Sequence, residues 1–156
     1  MHYCDLSLFP IVYIFVAGPV DTDVAKSITA SVEAALRRAE IEDVQVFQLV
    51  NGLHVDSVSP LARKAIGEWD QSLEPALHGR RAARIVLPQS MALRGAITAI
   101  SWFSARMREV RSVESIDDAV KTMRERMTAA GVTMRSDQVA DLKILHAEAE
   151  AAHTKG

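Results

Sequence analysis

The sequence predicts an α/β fold, a four- or five-stranded, mostly parallel sheet with helices packed on it, and three observations lead there. Apolar runs of strand length alternate with amphipathic stretches in the order strand, helix, four times over. Residues 11–17, 44–50 and 83–87 are near-continuously apolar, as strands covered on both faces are, which puts them in the centre of the sheet. Small polar residues stand in front of the amphipathic stretches, where the first turn of a helix needs an oxygen for its free N–H groups.

In chain order, residues 3–8 offer a short edge strand before Pro10 breaks the run. The strand over 11–17 ends at Gly18-Pro19. Asp21 or Thr22 caps a helix running to Arg38, whose Val24, Ala25, Ile28, Val32, Ala35 and Leu36 recur at three- and four-residue spacing. An acidic turn, residues 40–43, leads into the second strand and then to a polar elbow, Asp56-Ser57-Val58-Ser59. There Ser59 caps the next helix and Pro60 takes its first position, where a missing N–H costs nothing. Leu61, Ala65, Ile66, Trp69 and Leu73 form its buried stripe, which Pro75 and Gly79 close. A strand over 81–88 ends at Pro88. Ser90 caps a helix with Leu93, Ala96, Ile97 and Ile100 inward and room inside for one of Trp102 and Phe103, the other being a contact residue. A last strand spans 109–113. Ser115 and Asp118 form a capping-box analogue before the stripe Ile116, Ala119, Val120, Met123 and Met127, and Gly131 ends that helix. The segment from Ser136 to Ala152 adds a fifth helix with Val139, Leu142, Leu145 and Ala149 on one side. The expected division is a domain over 1–131 and a C-terminal helical extension over 132–156. That extra stripe needs cover, from its own domain or from another chain, and self-association as a homodimer through Ser136 to Ala152 is the expectation.

The totals narrow the function. A chain of 156 residues at 49% hydrophobic content suits one core. A formal net charge of −2 gives no overall pull toward nucleic acid or an anionic membrane. The charge is uneven, however: residues 80–111 hold seven arginines against one acid, and residues 1–79 five bases against eleven acids. A solvated face with complementarity inside the molecule or across a dimer accounts for this, with a surface for an acidic partner as the alternative. The single cysteine, Cys4, excludes an internal disulfide and fits a reducing compartment. The run 11–17 is far short of the roughly 20 residues of a membrane span, so a soluble, cytoplasmic protein is expected.

No catalytic residue is expected. His54 and Asp56 fall on one side of an extended segment near Ser57 and Ser59, but a triad needs nucleophile, base and carboxylate in series. His2, His54, His78, His146 and His153 lack metal-ligand spacing, and the glycines are scattered singly, so neither metal nor cofactor is expected. The helix start at Ser90 and Arg94 is a candidate anion contact. Asp56, Ser57 and Ser59 are the candidate regulatory or interaction residues, since a phosphate at this elbow meets a helix N-terminus.

The run Ala17-Gly18-Pro19-Val20-Asp21 followed by Ala25 resembles the glycine, aliphatic, aspartate signature of the anti-sigma-factor-antagonist (STAS) domains. Leu53-His54-Val55-Asp56-Ser57 is similar to their Asp-Ser strand end, and Ser115-Ile116-Asp117-Asp118-Ala119 to the start of their last helix. The resemblance covers about residues 10–130, and Val58-Ser59-Pro60-Leu61 departs from the family's small residue and Gly-Leu. It implies a divergent STAS-like fold and a bacterial regulatory module that binds a protein, a kinase or an anti-sigma-like regulator, rather than catalysing a reaction. It places the regulatory serine at Ser57, with Ser59 as its neighbour. The alternative is a small-ligand or lipid-binding domain with a pocket between sheet and helices.

Overall fold

The computed structural model describes residues 1–87 and 90–154. Strand β1 (His2–Asp5) is antiparallel to β2 (Ile11–Val20), and β3 (Val46–Val58), β4 (Arg81–Leu87) and β5 (Arg111–Ser112) follow in parallel, giving the order β1-β2-β3-β4-β5. The three runs expected at the centre occupy it. Helices cover both faces. On one side α1 (Thr22–Glu42), α2 (Pro60–Ser72) and the short α3 (Pro75–Gly79) pack on Val12, Ile14, Val16 and Val46, while α4 (Met91–Ile100) adds Leu93. On the other α5 (Ile116–Ala129) and α6 (Ser136–Thr154) pack on Ile11, Tyr13, Phe15, Phe47, Leu49 and Ile85. Successive residues of β2 thus point into two cores, which is why its sequence does not alternate.

Several boundaries move, each for a local reason. The first edge strand stops at Asp5 instead of Leu8. Gly18-Pro19 does not end β2: β1 pairs no further along it than Val16, so Pro19 removes no ladder bond on that side, and Gly18 takes φ 80°. Asp21, rather than Thr22, caps α1 through the N–H groups of Asp23 and Val24. The acidic turn at 40–43 is the last turn of α1, because Ala39 continues the buried stripe and the left-handed Asp43 closes the helix on Ala39 O and Glu40 O. Leu61 is 69% exposed and Ala62 is buried in its place, the inward row running Ala62, Ile66, Trp69, Leu73. A 3₁₀ turn (Ala105–Glu109) replaces the start of the last strand, leaving β5 two residues long. The expected stop at Pro88 lies outside the described residues.

Ser115 caps α5 as expected, its hydroxyl accepting from Asp118 N and donating to Asp118 Oδ2, and Gly131 follows that helix at φ 75°. The stripe on α6 is corrected in its use: Leu142 and Ala149 are buried in the same core as Tyr13 and Phe15, so the chain's own sheet covers the surface from which self-association was expected.

Candidate functional site

Helix α2 begins where β3 ends, at the carboxyl edge of the sheet. The Ser59 hydroxyl accepts from Ala62 N at 3.1 Å, and Ser59 N donates to Val20 O at 2.9 Å, which ties the junction to the end of β2. The polar elbow is shorter than the sequence suggests, since Asp56 and Ser57 still belong to β3. Pairing continues because β3 bulges. Gly18 faces Val55 and Pro19 faces Ser57, so Asp56 is left without a residue opposite. Both Asp56 and Ser57 are exposed, while Ser59 is half-buried and engaged as the cap.

Beside Pro60 lies a pocket of about 180 Å³ lined by Pro60, Arg63, Ala99, Trp102 and Phe103. Neither aromatic enters the core, contrary to the expectation that one would. Helix α4 ends at Ile100, and Trp102 N and Phe103 N close its last turn on Ala99 O and Ile100 O, which swings both side chains outward. Trp102 is 79% and Phe103 45% exposed. Phe103 lies over Gly67 of α2, where a Cβ would come within 2.5 Å of Phe103 Cβ.

A second group of polar side chains joins α6 to the sheet. Buried Asn51 donates from Nδ2 to Tyr13 Oη (3.0 Å) and Glu150 Oε1 (2.8 Å), with His146 Nδ1 at 3.2 Å. His54 Nε2 meets Glu150 Oε2 at 2.6 Å, and the His54 ring stacks on His153 at 4.1 Å. Burial pushes the Tyr13 hydroxyl well above its ordinary value and His146 below its own. His54 turns to α6 and Asp56 to solvent, so no series of serine, histidine and carboxylate forms. Among the described residues no group of three histidines, cysteines or carboxylates could hold a metal. Sequence reasoning missed this cluster, though its signal was present: His146, Glu150 and His153 follow Leu142 at helical spacing, and Asn51 interrupts an apolar strand.

A third group centres on Asp70, fully buried on α2. Arg81 Nη2 reaches it at 2.6 Å, Arg84 Nη1 at 2.9 Å and the Ser104 hydroxyl at 2.7 Å. Burial favours the neutral acid, but Arg84 and Arg81 outweigh it and hold the carboxyl below its ordinary value. Burial, with Arg81 beside it, brings Arg84 down to about 10. Two arginines of the basic segment are therefore interior groups, and Arg80 pairs with Asp43 at 2.7 Å, so part of the charge asymmetry is settled within the chain. The Ser90 hydroxyl accepts from Leu93 N at 3.1 Å, and Arg94 is exposed one turn along α4.

No family model matches the chain, and no curated protein does. Solved structures share its fold. The anti-sigma factor antagonist SpoIIAA in its unphosphorylated form superposes with a TM-score of 0.54 at 15% identity, over 80% of this chain and 97% of that one. A protein of the DUF3478 family with a SpoIIAA-like fold, from Shewanella loihica PV-4, gives 0.51 at 18% identity over 79% and 92%. The chain therefore has a SpoIIAA-like, STAS-type fold, as the order of its motifs leads one to expect. No helix among the described residues is long and apolar enough to cross a membrane.

Proposed function

We propose that this chain is a non-enzymatic, cytoplasmic regulatory module that binds another protein through the β3–α2 junction, with Ser57 as the residue a kinase modifies. The observation that carries the reading is the exposure of Trp102 and Phe103 beside Pro60, at the same edge of the molecule as exposed Ser57. A tryptophan left almost wholly in water has no part in the core, whereas tryptophans are over-represented among residues that dominate protein interfaces. A phosphate on Ser57 would add close to two negative charges within two residues of the N-terminal end of α2 and within reach of a partner resting on the aromatic pocket. The SpoIIAA structure is of that protein's unphosphorylated form, and the shared fold supports a regulator of the same kind. The partner is a kinase or an anti-sigma-like regulator. With Arg81 and Arg84 interior and no nucleophile joined to a base in the His54–Glu150 cluster, neither nucleic-acid binding nor catalysis is part of the proposal.

Affinity capture from the source cells with the wild type, Trp102→Ala and Ser57→Asp tests it. A protein held by the wild type, lost from Trp102→Ala by about 30-fold or more in affinity and altered by Ser57→Asp is the expected result. Equal retention by all three proteins, or no specific retention by the wild type, overturns it.

A further inference from the structure

Two adjoining cavities lie between the sheet and helices α1, α2 and α4. One, of about 120 Å³, is lined by Gln48, Trp69, Arg81 and Arg84. The other, of about 160 Å³, is walled by apolar side chains and backbone alone, among them Val16, Gly52, Leu93 and Ile97. Ile28, Val50, Ile66, Val86 and Met107 wall both, so the two form an elongated, almost wholly apolar space with Gln48, Arg81 and Arg84 in the lining of one end. Each has the size of an apolar cavity that stays dry and takes a guest such as benzene.

Unmet hydrogen-bonding capacity lies just behind the apolar surface of that end. The Arg81 side chain is 2% exposed and Gln48 is 4% exposed, and among the described residues neither Arg81 Nε nor Gln48 Oε1 finds a partner. Gln48 pairs across the sheet with Arg84, and Gln48, Arg81 and Arg84 all line the same pocket. Buried polar atoms without partners are uncommon and costly. The charge buried there is also unbalanced, since two guanidinium groups, Arg81 and Arg84, share the one buried carboxylate of Asp70, while Glu109 acts on them from an exposed position.

We propose that this space binds a medium-chain aliphatic carboxylate, its head between Arg81 Nε and the Gln48 amide and its tail along Val50, Val86 and Leu93. The carboxylate accepts from Arg81, and the Gln48 amide, turned about its terminal bond, presents its NH₂ group as a second donor. The anion supplies the negative charge that the Arg81, Arg84 and Asp70 group lacks, and the alkyl chain fills space that is otherwise void. The site is independent of the protein-binding reading, because it lies beneath the helices rather than on the aromatic pocket.

Titration of the whole protein with decanoate, 1-decanol and acetate, followed by calorimetry and thermal melting, tests the proposal. Saturable one-to-one binding of decanoate that raises Tm is expected, with 1-decanol at least tenfold weaker for lack of charge and acetate inert for lack of a tail. Val50→Phe fills the shared wall and should weaken decanoate at least tenfold while the far-ultraviolet dichroism stays that of the wild type. Ile28→Phe on α1 fills the same space from the opposite side if the strand variant folds poorly. No effect of millimolar decanoate on the wild type overturns the site, as does equal binding by wild type and a folded cavity-filled variant. Decanol binding as tightly as decanoate overturns the assignment of the head.

Discussion

Asp70 has lost all contact with water and carries two arginines with it, so its removal leaves two buried cations without a carboxylate. Asp70→Ala should lower stability by about 3–5 kcal/mol, the cost typical of breaking a buried pair, as read from denaturant unfolding. Its folded pKa lies below the unfolded one, so this contribution is complete above roughly pH 4 and disappears as pH falls through the folded value. His146 moves the same way at higher pH. Burial holds its folded pKa below the unfolded value of roughly 6.5, the neutral ring is the form the fold keeps, and stability falls as pH drops below that value. Unfolding free energies at pH 7.5 and pH 5.5 should differ less in His146→Gln than in the wild type; an equal difference removes His146 from the account. At the junction, Ser59→Ala should cost about 1 kcal/mol through the lost cap, while Ser57→Asp, at an exposed position, should shift stability by no more than about 0.5 kcal/mol. The sequence could place Ser57 and Ser59 because Pro60 marks the helix start. It could not place Arg81 and Arg84 inside. Arg81 faces Val46 and Ala83 faces Phe47, so β4 bulges at Ala82, and two arginines three residues apart come to the same face, a shift that no period of two would reveal.

Elements were more legible than residues. Strands β2, β3 and β4 announce themselves because both faces are covered, and the caps at Asp21, Ser59, Ser90 and Ser115 fall at the ends of apolar periodicity. What escaped were continuations past a break, at Gly18-Pro19 and at Asp56-Ser57, where bulges and a free strand edge remove the usual penalty. Helix α6 was legible as a helix but not in its role. Its inner face carries His146, Glu150 and His153 beside the apolar stripe, and their partners Asn51 and His54 lie about a hundred residues earlier in the chain. Leu142, with no exposed surface, anchors the helix, and Leu142→Ala should cost about 2–5 kcal/mol. A chain ending at Gly131 should bind an apolar dye and lose cooperative unfolding; a sharp thermal transition in that shorter chain would show that α6 is dispensable.

At the scale of the whole molecule, the acidic first half and the basic middle answer each other inside the fold, through Asp43 with Arg80 and Asp70 with Arg81 and Arg84. The more buried of these pairs are little screened, so Tm should change by only a few degrees between low and molar sodium chloride. The outward aromatics are then the feature that charge does not explain, and only the three-dimensional end of α4 shows that both Trp102 and Phe103 face water. The closure of the sheet by α6 also sets the order in which the molecule can be made. Tyr13 and His146 meet across 133 residues of chain, and at cellular rates of synthesis roughly ten seconds separate the appearance of one from that of the other. For that interval Ile11, Tyr13 and Phe15 lack the helix that covers them in the finished molecule. Until α6 leaves the ribosome, that strip of sheet is open to a neighbouring nascent chain.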